Sequence, residues 1–351
     1  MSNTQQSDEL ANRIVPANSS WKKTIIAGVC FGIVITAFLW AADISQIVGM
    51  PLLYLIPLLL GLLGLIYGMD SLLVAFLVIL TGGAVFLNLL DFSLSVIGFC
   101  VPVAIFIGLQ DRNIWPEKNS KENENRLRWL LIPDVSQDRV RDGITLIVIA
   151  GFYAATFAGT ELALLQTGQT TLHGFLLGGI DISTMGEVEL QLMQVTASFI
   201  QYTPTFVGVL IASWVLVSIK LGMLLIRFVQ MTPFPAVVFG QSAIPVWYII
   251  LVALLAVVAS QTIGETRFIC LNTALILTLP ALIIGFGVIS DVTSLFKYGW
   301  LIKWLLFVVL ALTATFGSLA IVAILGFLDA PLQIREWLIA KLGPKLEKKY
   351  A

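Results

Sequence analysis

Long, continuously apolar runs separated by short polar breaks fill most of this chain. Backbone groups cannot go unpaired in lipid, so runs of this kind are helices; the strands of a barrel would alternate apolar and polar residues. Nine runs are legible: Thr24 to Ala42, Gly49 to Tyr67, Ser71 to Leu90, Ser93 to Leu109, Gly143 to Leu165, Thr205 to Phe228, Val246 to Gly264, Phe268 to Ile289 and Leu301 to Leu328. Each lies near the roughly 20 residues that one helical crossing requires. The pattern predicts an all-α polytopic membrane protein, a bundle of eight or nine transmembrane helices. Short turns at Asp43, Asp70 and Asp91 predict that the first four pack as antiparallel neighbours. Pro51 and Pro57 predict that the second is short, kinked or partly re-entrant.

Composition agrees: 58% of residues are hydrophobic and 12% are charged, against about 25% charged in soluble domains. A net charge of −1 argues against the clustered basic face of a nucleic-acid binder. The few charges are sorted along the chain. Arg112, Lys118, Lys121, Arg126, Arg128, Arg139 and Arg141 crowd a loop at 110–142, whereas Gly143 to Ile219 contains no Lys or Arg. By the positive-inside rule the loop is cytoplasmic and the segment at 166–203 is translocated. Arg13, Lys22 and Lys23 place a tail at 1–23 in the cytoplasm, followed by a four-helix block at 24–109. A second membrane block spans 143–330, and the basic tail at 331–351 is again cytoplasmic by its charge. Nine crossings from an inside start would leave that tail outside, so a half-crossing is expected within Val246 to Leu328. The first run ends in Phe38-Leu-Trp-Ala-Ala42 without a small-x-small cleavage pattern, and is expected to be a retained helix. The localisation that follows is a bacterial inner membrane.

The translocated segment carries a capping box, Thr184-Met-Gly-Glu187. Beyond it Val188, Leu192, Val195 and Phe199 oppose Gln191, Gln194, Ser198 and Gln201 on an amphipathic helix. Such a helix lies on the membrane surface or lids the outer mouth of a cavity.

Candidate chemistry is sparse. Cys30, Cys100 and Cys270 sit in separate apolar runs and His173 has no neighbouring ligand types, so no metal, disulfide framework or cofactor is indicated. No H-E-x-x-H, G-x-S-x-G or phosphate-loop motif occurs, and a non-enzyme is expected. Asp134, Asp138 and Asp142, interleaved with Arg139 and Arg141, read as a solvated, salt-bridged helix start. Lys220 and Arg227 read as snorkelling side chains. On the fifth helix Tyr153, Thr156 and Thr160 form a polar stripe bordered by Glu161, the best candidate contact for a small-molecule ligand, although interhelical hydrogen bonding explains these residues equally well. Gly28 with Gly32, and Ala37 with Ala41, are small-xxx-small pairs that permit close helix packing, as are Ala311 with Thr315 and Ala314 with Ser318.

The closing phrase Ile324-Leu-Gly326-Phe-Leu-Asp329-Ala-Pro-Leu-Gln-Ile-Arg335 resembles that of the DUF2232, or YybS-like, bacterial membrane proteins. Pro57, Trp129 with Pro133, Pro204 through Lys220, Ile244-Pro-Val-Trp247, Asn272 and Gly285-Phe-Gly287 follow in similar order across most of the chain. Two departures are Trp129-Leu-Leu-Ile-Pro133, where that family has Trp-Tyr-Pro, and Pro331, where an aromatic is common. The resemblance implies distant kinship with the S-components of energy-coupling-factor transporters, which capture small molecules and couple through small first-helix residues to a membrane partner with ATPases. Gly28 and Gly32, or Ala37 and Ala41, would then be the coupling surface. The first functional expectation is therefore a small-molecule uptake component. A second is a membrane scaffold or assembly factor whose basic loop and tail recruit cytoplasmic partners, and a third is a membrane enzyme acting on lipid-linked substrate.

Overall fold

A computed structural model describes residues 21–44, 51–86, 96–110, 137–172, 174, 201–230, 239–296, 298–312 and 316–350. Among them every regular element is helical. The chain divides into two compact units, one of Met1–Glu117 with Leu210–Val237, the other of Lys118–Val209 with Val238–Ala351. Four helical runs are long and apolar enough to cross a membrane: Trp21–Ala42, Arg139–Thr167, Thr203–Val229 and Gly264–Ser294. Their outward faces remain apolar, with Ile33, Leu162, Leu210, Val217 and Phe286 all exposed.

The first unit contains α1 (Trp21–Ile44), α2 (Ile56–Tyr67), α3 (Met69–Phe86) and α4 (Val101–Gln110), the last entered through a π-helical turn at Val96–Cys100. The proline-marked break is real. The helix entering at Pro51 stops at Tyr54 and Leu55, and α2 restarts with Pro57 in its first turn. The Tyr54 carbonyl at this break accepts a 2.8 Å hydrogen bond from Trp214 Nε1, and the two rings meet edge to face at 5.3 Å. The main pairing joins α1 to α3, which are not chain neighbours. Gly28 lies on Ser71 and Val74, Gly32 on Ala75 and Val78, and Gly82 on Thr36, so both chains run the same way. A methyl on Gly28 would stand 2.7 Å from the Ser71 carbonyl oxygen, and one on Gly32 2.7 Å from Val78 Cβ. Of the two small-residue pairs on α1, then, Gly28 and Gly32 are consumed by internal packing. Ala37 is exposed and Ala41 half-buried.

The second unit contains α5 (Gln137–Thr167), the start of α6 (Thr203–Gln230), a 3-10 turn (Phe239–Gln241), α7 (Val246–Gln261), α8 (Gly264–Leu277), α9 (Leu279–Ser294), α10 (Gly299–Leu312), α11 (Phe316–Leu332) and α12 (Ile334–Tyr350). From Leu210 onward α6 belongs to the first unit, so the chain does not fold as two consecutive blocks. The eighth apolar run is two helices meeting at Thr278, just before Pro280. The Leu277 carbonyl at this joint accepts a 2.6 Å bond from the buried Tyr248 hydroxyl.

The ninth run, read from Leu301 to Leu328 as a single crossing, is corrected: it is two helices, α10 and α11. Gly299 sits against the Thr293 carbonyl at the end of α9, and Arg335, just past α11, pairs with Asp291 at that same end. Helix α11 therefore runs parallel to α9, and α10 makes the return pass. At about 1.5 Å per residue they rise about 21 and 25 Å. No charged residue separates α10 from α11, which is why the hydropathy pattern reads through both. The α9–α11 contact is again built on glycine. A Cβ on Gly285 would overlap the Val322 carbonyl oxygen, and one on Gly326 would overlap that of Ala281.

Candidate functional site

The densest polar cluster sits where α9 and α11 end. Asp329, in the last turn of α11, accepts a 2.8 Å bond from the Arg335 amide through Oδ1 and faces Arg335 Nη2 at 3.4 Å through Oδ2. It thereby caps the first turn of α12, where backbone N–H groups have no intrahelical partner. Between the two helices Gln333 takes a left-handed conformation, φ 47°, which lets the chain turn within one residue. Arg335 is 4% exposed. Its Nη1 lies 3.4 Å from Asp291 Oδ2, and its Nη2 donates to the Gly240 carbonyl. Burial pushes this guanidinium below its usual range; Asp329 and Asp291 pull it back up, and Arg139 opposes them.

Arg139 closes the cluster from α5. Its Nε donates to the Gln241 carbonyl at 2.6 Å, and its Nη1 reaches Glu336 on α12 at 3.3 Å. The Arg139 carbonyl accepts from the Ala243 amide at 2.9 Å. Gly143 lies against the Ala243 carbonyl and Gly287 against that of Gly240, approaches with no room for a side chain. Two arginines thus clasp one 3-10 turn between α5, α9, α11 and α12. The Arg139, Arg141 and Asp142 start of α5 is ion-paired, as its sequence suggests, but it is solvated only at Arg139. Arg141 and Asp142 are buried, with Nε and Oδ1 3.8 Å apart.

Asn272 forms a second node. Fully buried on α8, its Oδ1 accepts from the Thr205 amide at 3.2 Å and the Thr205 hydroxyl at 2.6 Å. Its Nδ2 donates to the Gln201 and Phe268 carbonyls at 3.0 and 2.9 Å. One amide side chain therefore binds backbone groups in the first turn of α6 and on α8 at once. The resemblance singles out Asn272; an isolated Asn inside an apolar run is the signal that finds it from chemistry.

The threonine hydroxyls of the polar stripe on α5 bond within their own helix. The Thr156 hydroxyl donates to the Phe152 carbonyl at 2.9 Å, and Thr160 donates to the Thr156 carbonyl at 2.8 Å, both within their own helix. Tyr153 is buried beside Phe152. Glu161, 2% exposed, accepts from the Leu172 amide at 3.1 Å, while Glu265 accepts from Thr171 at 3.0 Å. These carboxylates fasten the chain leaving α5. Lys220 and Arg227 are exposed along α6. His173, the loop interior at 111–136, and the capping box with most of its amphipathic helix lie outside the described residues, as do the side chains of Ala311, Ala314, Thr315 and Ser318. Among the described residues no group of His, Cys, Asp and Glu could hold a metal ion.

Fold and site together define an all-α class of protein, with apolar helical runs long enough to span a membrane and polar clusters that tie helix ends together. No protein-family profile, curated protein or solved structure matches this chain.

Proposed function

We propose that the chain is a multi-pass inner-membrane protein acting as a non-enzymatic scaffold or assembly factor, with the basic loop at 110–142 recruiting cytoplasmic partners. The observation that carries this reading is where the polar side chains go. The threonine hydroxyls of the α5 stripe bind their own helix, Glu161 binds the following turn, and Asn272 saturates its amide on α6 and α8. Such groups hold helices in place; they leave few donors and acceptors for a small molecule, which is what an uptake component of the S-component kind would need. Helix α5 begins where the basic loop ends, and Arg139 pins that root to the 3-10 turn. The loop is then displayed from a fixed point.

Counting α10 and α11 as separate passes also removes the topological conflict. An even number of passes returns the tail, with Arg335, Lys341, Lys345, Lys348 and Lys349, to the side of Arg13, Lys22 and Lys23, as the positive-inside rule asks.

Native mass spectrometry of the gently purified protein tests the reading. A stoichiometric protein partner, lost when the loop interior is deleted, is the expected result. A co-purifying vitamin-sized mass, retained without the loop, overturns it in favour of uptake.

A further inference from the structure

The clasp end of the second unit is ringed by exposed aromatic side chains. Tyr298 and Trp300 flank the start of α10 with Trp304 one turn on, and Trp337 stands on α12; these are between 57% and 66% exposed. All four belong to elements that meet where α9 ends, beside the Arg335–Asp291 pair. Exposed Trp and Tyr gathered at one end of apolar helices are the signature of the headgroup layer, where an amphipathic ring keeps its face in hydrocarbon and its N–H or O–H in water. Helix α12 starts in that layer. Asp329 and Arg335 fix its first turn, and its Ile334, Arg335, Leu338 and Leu342 face is turned inward.

The stripe that Trp337 opens is basic in sequence. Lys341 lies with Nζ 4.5 Å from the centre of the Trp337 ring, and at 100° per residue positions 345 and 348, both lysine, continue the line from 337 and 341. The acidic positions, 336 and 347, fall on another face, and Glu336 is already paired with Arg139. We propose that α12 is an interfacial helix binding anionic phospholipid headgroups through Trp337, Lys341, Lys345 and Lys348. The chemistry is that of a phosphodiester. Lysines supply the charge at the surface, and the tryptophan sets the depth, holding Lys341 across its face. The inference rests on the membrane reading above.

The test uses the full chain in lipid nanodiscs, of phosphatidylcholine alone or mixed with phosphatidylglycerol, with hydrogen exchange followed over 334–350. Anionic lipid should slow exchange in α12 and leave α5 unchanged. The triple variant K341Q/K345Q/K348Q should lose that protection, by about fivefold per lysine and roughly a hundredfold in all, and raised salt should mimic it. Equal exchange in both lipids, or protection surviving the triple variant, overturns the proposal while leaving the membrane reading intact. Protection by soluble polyglutamate but not by anionic lipid overturns it in favour of an acidic protein partner. A chain that does not enter the discs at all overturns both.

Discussion

Replacing Gly326 with alanine puts the parallel α9–α11 contact to a direct test. A Cβ there would overlap the Ala281 carbonyl oxygen and stand 2.9 Å from the Gly285 nitrogen. Both neighbours are backbone, so no rotamer change relieves the clash and one helix must move as a body. Overpacking of this kind costs about 3 kcal/mol at the upper end of its range, while alanine in place of a mid-helix glycine returns about 1 kcal/mol; the net loss is about 2 kcal/mol. Gly159→Ala is the matched control. It lies in α5 with nothing within 4 Å of its would-be Cβ, so it should gain about 1 kcal/mol from propensity alone. Thermal melting in mild detergent, followed by tryptophan fluorescence, should separate the two variants by several degrees, at about 2–4 °C per kcal/mol. If Gly326→Ala melts together with Gly159→Ala, the two helices do not meet at their glycines and the reassignment of the last apolar run falls with them.

Four further outcomes follow. Asn272→Leu should destabilise by roughly 2–4 kcal/mol in the same assay, since it strands the Thr205 amide and two carbonyls together; a loss below that of Thr156→Val, which should be near neutral, would contradict these bonds. Arg335→Met should cost about 3–5 kcal/mol by leaving Asp329 buried without its partner, and Asp329→Leu in the same chain should recover part of the loss; no recovery would argue against direct pairing. Gln333→Gly should raise the melting point, worth about 1 kcal/mol, by removing a left-handed side chain, and a fall would refute the turn geometry. Single cysteines at Tyr298 and Gln333 in a cysteine-free chain should react with a membrane-impermeant maleimide from one side, and at Gly168 and Thr262 from the other; labelling of Tyr298 and Gln333 from opposite sides would restore a single last crossing.

Apolar run length predicted the helices well because a helix in lipid needs nothing but side-chain hydrophobicity to be recognised. The break ahead of α2 was legible too, since Pro51 and Pro57 remove backbone donors. What hydropathy could not carry was direction: no charge lies between α10 and α11, so nothing in an average over residues marks a reversal. Nor could adjacency in the chain predict partners, because the α1–α3 and α9–α11 pairings depend on which faces carry glycine. Gly326, Asp329, Arg335 and Gly285 were legible only as a resemblance, and Asn272 also as an isolated amide in an apolar run; the structure gives each a mechanical reason, either a close approach or a hydrogen bond at a helix end. Tyr153, Thr156, Thr160 and Glu161 show the converse. Their spacing marks a stripe, but spacing does not reveal that a threonine hydroxyl already has an acceptor four residues back.

In both units a helix finds its tightest partner two elements later, across an intervening pass. During synthesis the glycine face of α9 therefore leaves the ribosome well before Gly326 and Val322 exist to cover it, and until then that face has only lipid or a chaperone against it. The second unit closes last, from its C-terminal end. A chain stopped anywhere before α11 would leave the close-approach face at Gly285 without its Val322 and Gly326 backbone partner.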